Sequence, residues 1–436
     1  MAIPMLTSSD FLRAAIISAA MAVGGVALAA EFELVSTVAL SRHGVRSPIA
    51  GHPALATFAA DTWPTWPVPS GHLTPRGAEL AKLLGAYYRE YYAVQGLFPA
   101  RGCPPTGRAV AWADVDQRTL VTAQSLLDGM FPGCGLAPAS SSMPIDPLFH
   151  PTRAGVCRID PAQARKSVLR RAGGDLASLQ RKFRAEIAAL QGVLKCCQPE
   201  LCRASGTSAP CSLRNLPSAL VAGDNGVRLS GPITIGSTAS EVFLLEYADG
   251  LPDQKIAWGR ASTPQAIQPL LRLHTLDFDL MERTPYLAKR QGSALVDKIW
   301  STLRNSVETN GADGRRLTLL VGHDTNLANI GGMLGLHWSL PSFLPNETPP
   351  AGAMHFDLLR NRQTREYGVR VRYVSQTLDQ MRRVMPLDLA NPPATAVVRN
   401  SRCKVREGGV CPWTDFAKIV DRALDRACVD SGRQGP

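Results

Sequence analysis

The chain has 436 residues, 45% of them hydrophobic and 19% charged. That balance excludes a disordered or fibrous protein and supplies a large buried core, enough for two or three interleaved domains. The formal net charge of +11 favours anionic partners or simply solvates the surface.

At the start of the chain, "AAIISAAMAVGGVALAA" follows a single Arg13, and Ala27 to Ala29 fit a small-residue cleavage site. Residues 1–29 therefore read as a secretory signal peptide, which makes the mature protein periplasmic or secreted. The alanines and glycines leave the segment too mildly apolar for a retained anchor, and no other run is long enough to span a bilayer. No stable membrane association is expected after its removal, and an exported protein has little occasion to meet nucleic acid. No motif specifies an oligomeric state.

Along the mature chain, apolar strand-like runs alternate with helical patterns, as in a sheet flanked by helices. Three runs carry the argument: "LVSTVAL" leads into Arg42 and His43, "AVAWADV" into "DQRT" with Arg118, and "LTLLV" into "GHDTN" with His323 and Asp324. Each is near-continuously apolar, like a strand buried on both faces, and turns polar only at its carboxyl end. Ligands of open α/β sheets bind outside those ends, so the three tips are expected to converge.

The helix "LTPRGAELAKLLGAYYREYYAVQG" has Thr74 as N-cap, Pro75 at its first position and Gly96 as its stop. Residues 151–284 are richer in helical patterns, "DLASLQRKFRAEIAALQGVL" and "ASEVFLLEYADG", interrupted by a cysteine cluster and by "LSGPITIGS". The expected fold class is α/β: residues 30–150 with 285–436 form a helix-flanked sheet, and residues 151–284 form a smaller, mostly helical cap. The tail "DSGRQGP" is expected to fray.

Ten cysteines in an exported chain read as disulfides. Cys103 and Cys134 bracket one strand and helix, Cys403 and Cys411 bound a short loop, and Cys157 is left to reach Cys428. Cys196, Cys197, Cys202 and Cys211 stand too close together for their pairing to be assigned. No histidine near them completes a zinc-like set, so no metal and no cofactor are expected.

The chemistry concentrates in "SRHGVRSP", Ser41 to Pro48. Arginine forks match phosphate oxygens bidentately and stabilise the charge that shifts during transfer. A histidine held between Arg42 and Arg46 stays neutral in acid, because neighbouring positive charge opposes protonation, and a neutral imidazole is a competent nucleophile toward phosphorus. Gly44 allows the backbone to turn near the ligand, and Pro48 fixes the exit. The pattern points to a phosphohistidine intermediate.

"RHGVRSP" and "GHDTN", each directly after an apolar strand, resemble the two signatures of the histidine acid phosphatase family, branch 2 of the histidine phosphatase superfamily, which includes bacterial periplasmic phytases and glucose-1-phosphatases. "WPTWPV", "LTPRG", "ADVDQRT", "SEVFLL", "RTP" and "GHDTNLANIGGMLGL" extend the likeness over nearly all of the mature chain. The resemblance implies an α/β domain with a smaller helical domain, and hydrolysis of small phosphate esters without a cofactor. It implies His43 as nucleophile, Arg42, Arg46, Arg118 and His323 as phosphate ligands, and Asp324 as proton donor. It also places Glu241 and Arg283 near the substrate pocket, Glu241 being equally suited to supporting the cap and Arg283 to a surface position. The likeness is stronger to phytases than to glucose-1-phosphatases because "HDTN" and "RHGVR" are kept. Where such phytases carry a threonine and a lysine after the proline, however, this chain has Ile49 and Ala50, so a cation for a multiply charged substrate is missing. A broad-specificity or glucose-1-phosphatase-like enzyme is the alternative. A phosphoglycerate-mutase-like enzyme would lack the signal peptide and disulfides, and a non-catalytic anion-binding protein would have no need of both His43 and Asp324.

Overall fold

The computed structural model describes residues 31–49, 55–223, 226–312 and 314–429. The signal segment, Ala50 and the C-terminal "DSGRQGP" lie outside the described residues. An eight-stranded mixed sheet is built from β1 (Phe32–Arg42), β2 (Ala109–Ala113), β3 (Ala139–Ser140), β4 (Leu317–Gly322), β5 (Ala353–Asn361), β6 (Tyr367–Ser375), β7 (Ala394–Val397) and β8 (Val410–Pro412). Its order is β7-β6-β5-β1-β4-β2-β3, and β8 pairs with β6. The strands β1, β4, β2 and β3 are parallel, whereas β5 runs antiparallel to β1 and opens an antiparallel half.

The helices that matter here are α1 (Pro75–Val94), α2 (Gln117–Met130), α3 (Pro232–Ala248), α4 (Pro264–Met281), α5 (Pro285–Glu308), α6 (Asp324–Leu334) and α7 (Trp413–Ala423). Successive strand residues point to opposite faces, and the core divides accordingly. Val38, Leu40 and Leu320 pack with α5, α6 and α7 on one side; Ala39, Leu319 and Val321 pack with α1 and α2 on the other. Both faces are therefore dry, which is why the parallel strands read as unbroken apolar runs. The N-cap of α1 forms as the sequence indicates: Thr74 Oγ1 accepts from the Gly77 amide at 2.9 Å.

The α/β class holds, with differences in detail. The run "DLASLQRKFRAEIAALQGVL" forms two helices, Leu176–Lys182 and Arg184–Leu194, because Phe183 leaves helical geometry at φ −103°, ψ 20°. "PITIGS" is not an interruption but the first turns of α3: Gly231 at φ 98° makes a bend and Pro232 sits at the start of the helix. A short hairpin, Ala219–Gly223 with Gly226–Ser230, lies among these helices. The antiparallel half escapes a hydropathy reading because its buried strands carry charge. Asp357 on β5 is fully buried and accepts from Arg372 Nε at 2.6 Å and Arg370 Nη2 at 3.1 Å.

All ten cysteines are paired: Cys103–Cys134, Cys157–Cys428 and Cys403–Cys411 as expected, with Cys196–Cys197 and Cys202–Cys211 resolving the cluster. The packing of α1 on α2 depends on two glycines. A Cβ on Gly85 would lie 2.2 Å from the Leu126 carbonyl oxygen, and one on Gly129 would lie 1.9 Å from that of Lys82. Backbone cannot yield as a flexible side chain can, so Gly85→Leu is expected to destabilise the fold by at least the roughly 1–3 kcal/mol typical of overpacking. Urea unfolding measures this, and an unchanged midpoint would rule out so close a contact.

Candidate active site

The three strand tips meet because β1, β4 and β2 are neighbours in the sheet. Arg42 pairs in register with Gly322, and Ala113 with Val321. Beyond the strand ends the order is kept by backbone bonds: the His43 amide donates to the Gly322 carbonyl at 2.9 Å, and the Asp114 amide to that of Val321 at 3.0 Å. The loop after His43 is clamped onto α1 and α2. The Thr74 amide donates to the Val45 carbonyl at 3.0 Å and the Gly44 amide to Thr122 Oγ1 at 2.9 Å. Gly44 is needed for space here, since its Cβ would stand 3.0 Å from the Gly77 carbonyl oxygen.

Arg42 is 1% exposed and carries the central charge. One terminal nitrogen lies against Glu241 and is 3.0 Å from Asp324 Oδ2; the other donates to the Thr348 carbonyl at 2.6 Å. Burial alone would lower its pKa, but Glu241 and Asp324 together raise it, so it is permanently charged. Arg46, also buried, is held down to about 10, by burial first and by its arginine neighbours. Arg118, from the first turn of α2, donates to Asp116 Oδ2 at 2.5 Å and lies 3.4 Å from His323 Nδ1. The Nε atoms of Arg42, Arg46 and Arg118 are buried without a partner among the described residues. Leaving such donors unmatched costs about 1–3 kcal/mol each, and phosphate oxygens would satisfy them.

His43 is 2% exposed, and its Nδ1 lies 2.9 Å from the Gly44 carbonyl. A carbonyl only accepts, so Nδ1 carries the proton and Nε2 keeps its lone pair. Burial, then Arg42, Arg46, Arg118 and His323, hold the imidazole pKa well below its usual value. Asp324 opens α6. Burial would raise its carboxyl, but Arg42 and Arg46 outweigh that and hold it at about 2.

Glu241, on α3, is buried and turned toward Arg42, with Oε2 3.8 Å from His274 Nε2. Arg283 does not take the surface position, and among the described residues it has no partner in the groups around His43. It is 3% exposed behind α6, stacks on Trp338 at 5.3 Å and donates to the Leu336 carbonyl at 2.8 Å. A Cβ on Gly331 would come within 2.3 Å of its Nη1, so α6 closes over it.

Two site residues have no assignment in the sequence reading. Asp114 lies within the quoted "ADVDQRT", and a carboxylate at a strand tip was its signal; His150 had none. His323 Nε2 is 2.6 Å and His150 Nε2 2.8 Å from Asp114 Oδ2. These donate in hydrogen bonds that, with Asp116, bring four possible metal ligands within 4.8 Å of one another. No motif announces this cluster, because its members come from positions 114 to 323 and share no spacing. Nitrogen–oxygen contacts of 2.6 and 2.8 Å are those of hydrogen bonds to an ionised carboxylate.

Three guanidinium groups around a neutral, oriented imidazole, with a carboxylate beside them, define an enzyme that handles phosphate. The chain belongs to the histidine phosphatase superfamily (branch 2), whose family pattern matches residues 33–374. It is 38% identical over 408 residues to phytase AppA of Escherichia coli K12, covering 91% of this chain and 94% of that protein. It is 28% identical over 403 residues to a glucose-1-phosphatase of Providencia rettgeri, covering 91% and 93%. The solved structure of Hafnia alvei phytase in complex with tartrate superposes with a TM-score of 0.84 at 37% identity, covering 92% of this chain and 99% of that one. The protein is a phosphatase, and its reaction is hydrolysis of phosphate esters.

The electrostatics give a direct expectation for His43. Its ¹⁵N resonances should remain those of a neutral, Nδ1-protonated ring well below pH 6.5, near which a free imidazole titrates. Arg118→Ala should move the titration upward, since a positive neighbour is removed. A wild-type His43 that titrates near pH 6.5 would contradict the assigned environment.

Proposed function

We propose that the protein is an exported acid phosphomonoesterase that works through a phosphohistidine on His43, with Asp324 as proton donor and phytate or sugar phosphates as substrates. The observation that carries the mechanism is the Nδ1–H donated to the Gly44 carbonyl, which leaves Nε2 unprotonated among Arg42, Arg46 and Arg118. In the first step, Nε2 attacks phosphorus, the bond from phosphorus to the bridging oxygen breaks, and Asp324 gives its proton to the departing alkoxide. In the second, water attacks the phosphohistidine, passes a proton to Asp324 and releases inorganic phosphate. Arg42, Arg46, Arg118 and His323 hold the phosphoryl oxygens in both steps.

Asp324 is an anion in the free site, so a donor role requires that it gain a proton with the substrate. A bound phosphate dianion neutralises the arginines that depress it and adds a like charge nearby, both of which raise its pKa. An acidic medium supplies that proton. The cage performs the charge neutralisation that a metal would otherwise provide, so turnover should be independent of divalent ions. Export, the 30–150 with 285–436 phosphatase domain and the 151–284 cap belong to the same reading. In support, the chain leaves β3 at Ser140 and rejoins the sheet only at Leu317. Among the described residues no helix is long and apolar enough to cross a membrane. The phytase relative favours phytate over the glucose-1-phosphatase alternative. Ile49, 44% exposed, and Ala50 argue for a weaker preference than a lysine at that place would give.

His43→Ala should abolish turnover while leaving the melting temperature unchanged, and acid-labile phosphate should be trapped on His43 in the wild type. Appreciable activity in the variant would overturn the assignment.

Asp324→Asn should slow hydrolysis of alkyl phosphates by about 10²- to 10⁴-fold, the usual worth of general acid catalysis. Nitrophenolate leaves without a proton, so phosphoryl transfer from nitrophenyl phosphate to His43, followed by rapid mixing, should slow far less. An equal loss for both leaving groups in that step would instead mark Asp324 as structural.

A further inference from the structure

We propose that His150 is a positioning residue for phosphate capture, holding the ring of His323 through a carboxylate that both histidines share. The inference rests on the reading of His323 as a phosphate ligand.

Asp114 directly follows β2, with its side chain fully buried. Its Oδ2 accepts from His323 Nε2 at 2.6 Å and from His150 Nε2 at 2.8 Å, while Oδ1 accepts from the Val115 amide at 2.8 Å. Burial would raise this carboxyl, but the two histidines outweigh it and keep the group ionised. The rings of His150 and His323 lie 4.9 Å apart, tilted by 38°. His150 thus reaches His323 twice, through the carboxylate and ring to ring, without bonding to His43.

The turn that delivers His150 is rigid for reasons of its own. The His150 amide donates to the Asp146 carbonyl at 2.9 Å, and Trp112 Nε1 ties Asp146 Oδ2 to β2 at 2.8 Å. Asn326, on α6, donates to the Phe149 carbonyl at 2.9 Å, and its Oδ1 accepts from the His323 amide at 2.9 Å. The two histidines therefore share one frame.

The consequence is tautomeric. A proton on Nε2 committed to Asp114 leaves Nδ1 an acceptor on the side of Arg118, fit to take a hydrogen bond from Arg118 Nη2 at 3.4 Å and from the P–OH of a protonated phosphate held there. A carboxylate with one imidazole donor can rotate or admit water; one clamped between two cannot without losing a bond. Partners that fix the tautomer and orientation of a ligating histidine act on affinity without touching the ligand. The charged groups facing the pair are Asp114, Asp116, Asp146 and Arg118, so removing His150 leaves the rest of the charge distribution intact.

The test compares His150→Phe, which keeps a ring but no donor, with His150→Gln, whose amide nitrogen can replace Nε2. For the full-length protein, inhibition by inorganic phosphate is measured against nitrophenyl phosphate turnover, and the ¹⁵N tautomer of His323 is read in phosphate-free enzyme. His150→Phe should raise the inhibition constant about two- to tenfold, the worth of one hydrogen bond, with kcat changed much less. It should also mix the His323 tautomers, and His150→Gln should restore both readouts. The proposal is overturned if His150→Phe leaves inhibition constant and tautomer as in the wild type. It is equally overturned if both variants lower the melting temperature while those two readouts stay fixed. The tautomer measurement needs no turnover, so it stands or falls separately from the phosphohistidine mechanism, which His43→Ala tests.

Discussion

A guanidinium cannot be buried alone, and the architecture around Arg42 follows from that constraint. Taking such a charge out of water costs several kcal/mol unless opposite charge and hydrogen bonds replace its hydration. Glu241, Asp324 and the Thr348 carbonyl do so here, and they come from three different parts of the chain. Glu241 is supplied by α3 and Asp324 by α6, so the helical segment and the sheet are joined at the ion pair on which the site is built. Helix α3 thereby furnishes part of the counter-charge that allows Arg42 to sit at the strand tip.

The same arginines push two neighbouring groups in the directions a two-step transfer requires. They oppose a proton on His43, which leaves the proposed nucleophile free, and they oppose a proton on Asp324, which keeps the free site ionised. Binding a dianion reverses the second effect. In the proposed mechanism, proton uptake at Asp324 is in this way coupled to arrival of the group that needs it.

Behind the site, several buried polar groups are joined into networks. Asp114 serves two histidines and a backbone amide; Asp357 serves Arg370 and Arg372, and Tyr92 bonds His355 at 2.8 Å. In a medium of low dielectric such networks are rigid because any movement strands a charge or a donor. They carry the geometry of the strand tips into the antiparallel half of the sheet.

The sequence alone determined the elements whose signals are local. The parallel strands showed because both faces are dry, the helix from Pro75 because Thr74 and Pro75 mark its start, and the candidate-site stretches because arginine and histidine fall directly at strand ends. Local signals also erred locally: the β-branched residues of "PITIGS" disguised a helix start, and Phe183 broke a helix that its periodicity continued. Only the tertiary structure decided which distant groups meet. Arg283 aligns by motif near a substrate pocket or a surface, yet it packs in the interior behind α6, beneath Gly331. His150 has no motif at all, yet it shares a carboxylate with His323 because the strand order sets β2 beside β4. Hydropathy reports whether a residue is buried against apolar neighbours. It carries no information about a buried charge whose partner lies two hundred residues away, and such pairs were settled by sheet order and helix packing.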